Sequence, residues 1–510
     1  MKKLKKTSAF LKVPNDKIND KHMKINDKHM KHKLLLLSSI GFSAGIISAQ
    51  KPMNVIYILA DDLGYGDLSC LGQTKFSTPS IDKLAKEGML FTQHYSGSTV
   101  SAPSRSCLMT GQHTGHTYIR GNKGFTDGKE GQEPLTLETY ILPEMFKEAG
   151  YVSGCFGKWG LGYPGSTGDP MNQGFDTFYG YNCQSESHHY YPDHLWKNRK
   201  KVMLSENAKF NLVQYAPDLI HNEALQFITD NQSRPFFAYL SYVAPHAELI
   251  APDDEILAKF KGKFKEKPYK AKEGDTYEDT FKAGAYCSQP EPYATFAAMV
   301  TRLDRQVGDI VAKLKELGLD KNTVIFFSSD NGPHREGGAN PDFFKSYGPF
   351  RGVKRDLYEG GIRLPLIAWA PGKVKSGVNS NHICAMWDMM PTFAGIAGVK
   401  LHKNTKTDGI SILPTLTGKG KQKQHKFLYW EFHERGGKIA LRKGDWKLVI
   451  QQIMVNKDAE PELYNLVTDR HEDNNVANQH PEIVKEMLQL MKSSHVESTI
   501  FHFNNKSKYF

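Results

Sequence analysis

Two stretches of the chain share one design. MNVIYILADD (53–62) is an apolar run that ends in two carboxylates, and NTVIFFSSDNG (322–332) is another that ends in Asp330, Asn331 and Gly332. Continuous runs of this kind, without period-two alternation, predict strands buried on both faces, the usual state of strands in a parallel sheet. Helical periodicity marks PSIDKLAKEG (79–88), TLETYILPEMFKEAG (136–150) and TFAAMVTRLDRQVGDIVAKLKELG (295–318), and short strands are predicted at PFFAYLSYVAP (235–245) and LPLIAWAP (364–371). Strands and helices alternating in this way imply an α/β fold with a large, mostly parallel sheet covered on both faces. Ligands of such sheets gather beyond the carboxyl ends of the strands, so Asp61, Asp62, Asp330 and Asn331 are expected to meet at one edge.

The texture changes after a Gly-, Lys- and Thr-rich passage at about 372–426. KFLYWEF, GKIALRKGDWKLVI and PELYNLVTD predict antiparallel strands, and HPEIVKEMLQLMKSSH a closing amphipathic helix. The expected organisation is a catalytic α/β domain over 50–420 and a small α+β subdomain with an antiparallel sheet over 421–510.

Residues 1–49 read differently. KINDKHM occurs at 17–23 and again at 24–30, and KHKLLLLSSIGFSAGIISAQ follows, with a basic start, an apolar run from Leu34 to Ile47 and a small residue, Ala49, before Gln50. This pattern predicts a secretory signal peptide cleaved after Ala49, with Met30 as the true start and 1–29 as an upstream extension. The product is expected to be exported, periplasmic or secreted. The apolar run is too short for stable membrane insertion, and no cysteine stands at the cleavage site to carry a lipid. The formal charge of +11 also belongs mainly to this segment: residues 1–33 hold eleven Lys and three Asp, which leaves +3 for the rest. That balance gives no argument for a nucleic-acid partner. Six cysteines are scattered without metal-type pairs; disulfides are possible after export, with the pairing open.

Candidate chemistry concentrates in few places. In SAPSRSCLMTG (101–111), Pro103 biases Ala102 towards extended backbone, which predicts Ser101 at the end of a loop and Ser104 as the cap of a helix starting near Arg105. The i, i+4 offset then sets the Arg105 guanidinium beside Ser101 at a helix N-terminus, a place that holds anions. Asp61, Asp62, Asp330 and Asn331 offer hard oxygen donors, which suit Ca²⁺ or Mg²⁺ better than zinc. Either group alone is equally ordinary turn chemistry. Together at the ends of two apolar strands, adjacent carboxylates call for a cation or protons.

These residues resemble a known family. Ser101-Ala102-Pro103-Ser104-Arg105 followed by LMTG is similar to the signature of the type I sulfatases in its serine form, found among carbohydrate sulfatases and arylsulfatases of anaerobic bacteria, and GKWGLG (157–162) resembles their second signature. ILADDLGYGD, APH (244–246), DNG (330–332) and RGVKRDLYEGGIR (351–363) fall in the family's order, and the resemblance spans about 52–470. It implies an alkaline-phosphatase-like sandwich, a sheet flanked by helices with a C-terminal subdomain. It also implies that Ser101 is oxidised to formylglycine, whose hydrate carries two hydroxyls on one carbon. One attacks sulfur; the other, once deprotonated, breaks the C–O bond to release sulfate and restore the aldehyde. A plain serine is a poor nucleophile and would be left as a stable sulfate ester. By the same resemblance, Asp61, Asp62, Asp330 and Asn331 hold Ca²⁺ with the oxygen of modified Ser101, and Arg105 orients the diol. Lys158 and Lys354 contact sulfate oxygens, and His246 protonates or hydrogen-bonds the leaving alcohol. The implied maturation partner is a radical-based formylglycine-generating enzyme of the cytosol.

One position departs from the family. Many members carry histidine two residues after the motif lysine, where it contacts the diol; here Gly160 stands there, and His113, His116 and water are the candidates for the base that deprotonates the second hydroxyl. NCQSESHHYYPDHLWKN (182–198) reads as a loop whose aromatic and His residues, His188 and His189 in particular, suit a sugar ring as well as packing beneath a lid. The implied substrate is a sulfated carbohydrate, with 4-O-sulfated galactose or N-acetylgalactosamine at chain ends as the expected unit. Two alternatives stand beside a sulfatase: a phosphatase or phosphonate hydrolase of the same fold, or a non-catalytic sulfated-glycan-binding protein if Ser101 is not oxidised.

Overall fold

The computed structural model describes residues 52–124, 130–503 and 508–509. The signal peptide, the duplication and the start at Met30 lie outside the described residues. Eleven strands form the main sheet among those described: β1 Asn54–Ala60, β2 Met89–Tyr95, β3 Val152–Lys158, β4 Thr177–Tyr181, β5 His194–Lys197, β6 Lys200–Met203, β7 Phe236–Ser241, β8 Thr323–Ser329, β9 Arg363–Trp369, β10 Val378–Ser380 and β11 Cys384–Ala385. Their order is β10-β2-β9-β8-β1-β7-β3-β4-β5-β6, with β11 also beside β2. The centre, β8-β1-β7-β3-β4, is parallel throughout. Towards the edges the sheet is mixed, because β9 runs against both its neighbours and β5 against β4 and β6.

Burial of β1 on both faces explains its unbroken apolar run. Ile56, Ile58 and Ala60 enter one core with Ile81, Leu84, Ile220, Leu303 and Val307. Val55, Tyr57 and Leu59 enter the other with Leu108, Met109, Leu142, Met145 and Phe393. The first core is roofed by helices Pro79–Glu87, Ala216–Asp230 and Pro292–Glu316, the second by Ser101–Thr110, Leu142–Glu148 and Met389–Ala397. No helix among the described residues is long and apolar enough to cross a membrane. All six cysteines are free.

Three local expectations are corrected. The helix expected over 136–150 occupies only Leu142–Glu148, because Pro143 fits the first helical turn but has no N–H with which to continue a helix from upstream. The stretch 182–198 is not all loop: β5 closes it, so its last residues belong to the sheet. The helix of the serine motif starts at Ser101 itself, after an extended Val100, and not at Arg105. Pro103 is tolerated because it sits in the first turn, where its absent N–H has no partner to lose. Ser104 is therefore no cap. Its Oγ accepts from Gly97 N and donates to the Asp330 carbonyl, tying the helix to the end of β8.

The C-terminal strands are β12 Leu428–Phe432, β13 Lys438–Lys443, β14 Trp446–Gln451 and β15 Pro461–Asn465, an antiparallel sheet in that order. Period-two alternation sorts its side chains. Tyr429, Ile439, Leu441, Leu448 and Ile450 face helix Pro481–Ser494 through Met487 and Met491. Leu428, Trp430, Phe432, Ala440 and Val449 pack instead in one cluster with Cys107 of the serine helix and with Val100, which precedes it. Trp430 Nε1 donates to the Ser96 carbonyl at 2.9 Å, just upstream of that helix.

Candidate active site

Strand register brings the functional side chains together. Ala60 of β1 pairs with Ser329 of β8, so Asp61 and Asp330 leave the sheet side by side. On the other flank, Leu59 pairs with Ser241 of β7 and Ser241 with Gly157 of β3, which sets Lys158 at the same edge. Asp62 takes a left-handed backbone (φ 62°), a conformation aspartate tolerates better than most residues, and its N–H donates to Asp330 Oδ1 at 3.0 Å. The edge expected from sequence to collect Asp61, Asp62, Asp330 and Asn331 does so, and all four are fully buried.

Ser101 lies against this edge. Its Oγ donates to Asp61 Oδ1 and accepts from Lys158 Nζ, both at 3.3 Å. Lys158 Nζ is 2.6 Å from Asp61 Oδ2. Arg105 reaches past the serine: Nη2 bridges Asp61 (3.0 Å) and Asp330 (3.1 Å), and Nη1 donates to the Lys158 carbonyl, Tyr239 and Ser241. The guanidinium thus meets Ser101 through their shared partner Asp61. On the opposite side Lys354 Nζ donates to Asp62 Oδ2 (2.8 Å) and His246 Nε2 (3.0 Å). His246 Nδ1 faces the Ala247 carbonyl, which leaves Nε2 as the acceptor. Its ring stacks on both His188 (4.9 Å, 11°) and His334 (5.6 Å, 20°).

The electrostatics are those of a crowded, dry site. Burial raises the carboxyls, but Lys158, His246 and Arg105 overcome it at Asp61 and hold that group far below the carboxylate range. Asp330 is pushed up to about 6, by burial and then by the charge of Asp61. Burial lowers Lys158, whereas at Lys354 the charges of Asp62, Glu336 and Asp61 outweigh burial and raise it. Burial and then Lys354 keep His246 well below the ordinary histidine value. Three carboxylates and three cations cancel, so an incoming sulfate ester adds an uncompensated negative charge. The donor set fits a hard divalent cation: three carboxylates, one carboxamide, and an Asn331 Oδ1 that is buried without a partner among the described residues. His246 also offers a nitrogen near Asp61 and Asp62.

A cleft of about 250 Å³ opens above this cluster, lined by Gln132, Gln184, His188, His246, Tyr286, Lys354 and Arg355 among others. Sequence reasoning found only His188, His246 and Lys354 of these. The polar run HREGG after Asp330-Asn331-Gly332 was the available signal for His334 and Glu336, which sit behind His246 and Arg355. No sequence signal marked Tyr239 and Ser241, which face Arg105 only because β7 lies beside β1 and β3. His189 does not join the cleft; its ring packs on Tyr277 and Phe281, with Nδ1 3.6 Å from Glu248. His113 and His116 are also turned away. They stack on each other and face Asp408, and His113 packs on Trp387 and Tyr429. Nearness to Ser101 along the chain misplaced them, because the helix carries the chain away from the edge before they occur.

Comparison with known proteins agrees with this geometry. The family model described as Sulfatase matches residues 53–399, and one described as N-sulphoglucosamine sulphohydrolase, C-terminal, matches 348–497. An N-acetylgalactosamine-6-sulfatase of Mus musculus is 30% identical over 448 residues, covering 81% of this chain and 74% of its own length. An N-acetylgalactosamine-6-O-sulfatase of Bacteroides thetaiotaomicron is 29% identical over 527 residues, covering 88% and 93%. The structure of Ps i-CgsB in complex with k-i-k-neocarrahexaose matches with a TM-score of 0.71 at 28% identity, over 89% of this chain and 96% of that one. The alkaline-phosphatase-like architecture is therefore the one observed, and its motifs sit where the strand register requires them: the chain belongs to the sulfatase family and is a sulfuric ester hydrolase.

Proposed function

We propose that the protein removes sulfate from a terminal sugar of a glycan, at the 6-position of an N-acetylgalactosamine or galactose unit, with Ser101 matured to formylglycine by a radical enzyme. The observation that carries the reading is the convergence of Ser101, Asp61, Lys158 and Arg105 on one buried edge beneath a small cleft. Its volume is below the ~300–1,000 Å³ typical of drug-sized ligands and suits one sulfated sugar unit. The 6-position is supported by the names of the relatives; the 4-position expected from sequence is the competing outcome of the assay.

Asp61, Asp62, Asp330 and Asn331 are the residues that would hold calcium. Bound there, calcium and the hydrated aldehyde supply positive charge and a doubly hydroxylated nucleophile. The chain's own residues do the rest. Lys158 and Arg105 fix Asp61 so that its free oxygen faces residue 101. Lys354 and Lys158 present buried ammonium groups to an entering sulfate, where fixed donors act most strongly. His246 Nε2 lies on the cleft side and accepts from the Lys354 ammonium, so it relays a proton from Lys354 to the leaving alcohol oxygen, and its stacking partners hold the ring plane.

The test is the protein co-produced with a radical maturase. Mass spectrometry of the tryptic peptide ending at Arg105 is expected to show a loss of about 2 Da at Ser101, the change from alcohol to aldehyde. Free N-acetylgalactosamine 6-sulfate is expected to be desulfated faster than the 4-sulfate. An unshifted mass in active protein removes the nucleophile from the proposal, and a preference for the 4-sulfate reverses the position.

A further inference from the structure

Two residues past Lys158, Gly160 turns the chain in the left-handed region (φ 74°). A Cβ at this position would lie 2.3 Å from Gln184 Nε2 and 3.3 Å from Gln132 Oε1. The absence of a side chain at residue 160 is what admits the Gln184 carboxamide. The main chain of Gln184 is fixed: its N–H donates to Gln132 Oε1 (3.1 Å) and its carbonyl accepts from Ser187 Oγ (2.7 Å). Gln184 is only 8% exposed, yet its Nε2 has no hydrogen-bond partner among the described residues. Buried polar groups in folded proteins are almost always paired, so an unpaired carboxamide nitrogen in the wall of a binding cleft is a group arranged for a ligand. The wall is the same one that carries His188, His246 and Lys354.

The chemistry of the partner follows from what else is present. The anionic part of a sulfate ester already has the buried ammonium groups of Lys158 and Lys354. A neutral carboxamide, both donor and acceptor, matches the neutral oxygens of a sugar, a ring hydroxyl or an N-acetyl carbonyl. We propose that Gln184 contacts the substrate: its carboxamide hydrogen-bonds a neutral oxygen of the sugar that bears the sulfate, while Gly160 leaves room for the carboxamide and Gln132 fixes the main chain that carries it. This rests on the glycan-sulfatase reading of the site.

The experiment compares parent, Gln184→Met and Gly160→Ala on free N-acetylgalactosamine 6-sulfate and on 4-nitrophenyl sulfate, which has no sugar. Methionine keeps the volume and removes the hydrogen-bonding ends; alanine at 160 drives the carboxamide from its seat. For Gln184→Met, kcat/KM on the sugar sulfate is expected to fall about 10- to 100-fold, with less than about threefold change on the aryl sulfate. Gly160→Ala is expected to show the same split, with formylglycine content and melting temperature of Gln184→Met close to the parent's. Equal losses on both substrates, or no loss on the sugar, overturn the assignment. If the parent itself, carrying formylglycine, turns over neither substrate, the glycan-sulfatase reading fails and takes this assignment with it, an outcome told apart by the parent alone.

Discussion

Replacing Arg105 by alanine tests how the acidic edge is kept together. The guanidinium is fully buried and bridges Asp61 and Asp330 through one nitrogen, Nη2, so its removal strands the buried Asp330 carboxylate and leaves Asp61 with Lys158 alone. Removing one partner of a buried ion pair costs about 3–5 kcal/mol, far more than the pair contributes net, because the remaining charge stays in a dry environment. The compact unit is Lys51–Phe510. At ~2.1 cal/mol/K per residue its unfolding entropy is roughly 1 kcal/mol/K, so the loss corresponds to a fall of about 3–5 °C in Tm. If Asp61 and Asp330 hold calcium, the ion supplies the missing positive charge, and the deficit must shrink when calcium is added. The assay is thermal melting of parent and Arg105→Ala in chelator and in millimolar calcium. A deficit of the same size in both buffers, or one below about 1 °C in chelator, refutes the reasoning that these carboxylates depend on cationic neighbours.

Other expectations follow from the same geometry. His246→Gln should slow release of sugar alcohols by about 10²–10⁴-fold while sparing 4-nitrophenyl sulfate, whose phenol needs little help in leaving, and equal rates on the sugar would remove the proton donor. Lys354→Ala deletes a buried donor and should lower kcat by about 10²–10³-fold, read with saturating substrate. Glu431, in the C-terminal sheet, accepts from Tyr429, His433, His495 and Arg120. Burial would raise its carboxyl, but His433, His495 and Arg120 reverse that and hold it at about 2, against an ordinary 4.5. A depressed carboxyl stabilises the fold fully above the unfolded value, and the contribution, about 3 kcal/mol, is lost as pH falls from about 4.5 towards 2. Melting curves should therefore show Glu431→Gln well below the parent at pH 7, with the gap narrowing from about pH 5 down towards pH 2; a constant gap would contradict the linkage.

What can be read from the sequence is set by contrast. The runs before Asp61 and Asp330 are long, apolar and end abruptly in acid, so both strands and their convergence are legible in the order of residues alone. β12 to β15 and the last helix are legible too, because alternation and helical periodicity there are clean. β3 and β4 are not: VSGCFGK and TFYGY are short and glycine-bearing, and their identity as strands comes from lying beside β7 and each other. The start of the serine helix is misplaced by a few residues because Pro103, a breaker in most settings, is harmless in a first turn. The exclusion of His113, His116 and His189 from the site, and the arrival of Gln184, depend on tertiary packing that no local pattern encodes.

The small C-terminal sheet has a consequence for the reaction centre that its distance from the cleft conceals. Val100 and Cys107 rest on Leu428, Trp430 and Phe432, and Trp430 grips the Ser96 carbonyl. The nucleophile's helix is therefore bedded on residues encoded more than three hundred positions later. A chain cut short before residue 428 would keep every residue of the acidic edge yet have no rear wall for that helix. The tail acts as the anvil against which the reactive serine is set.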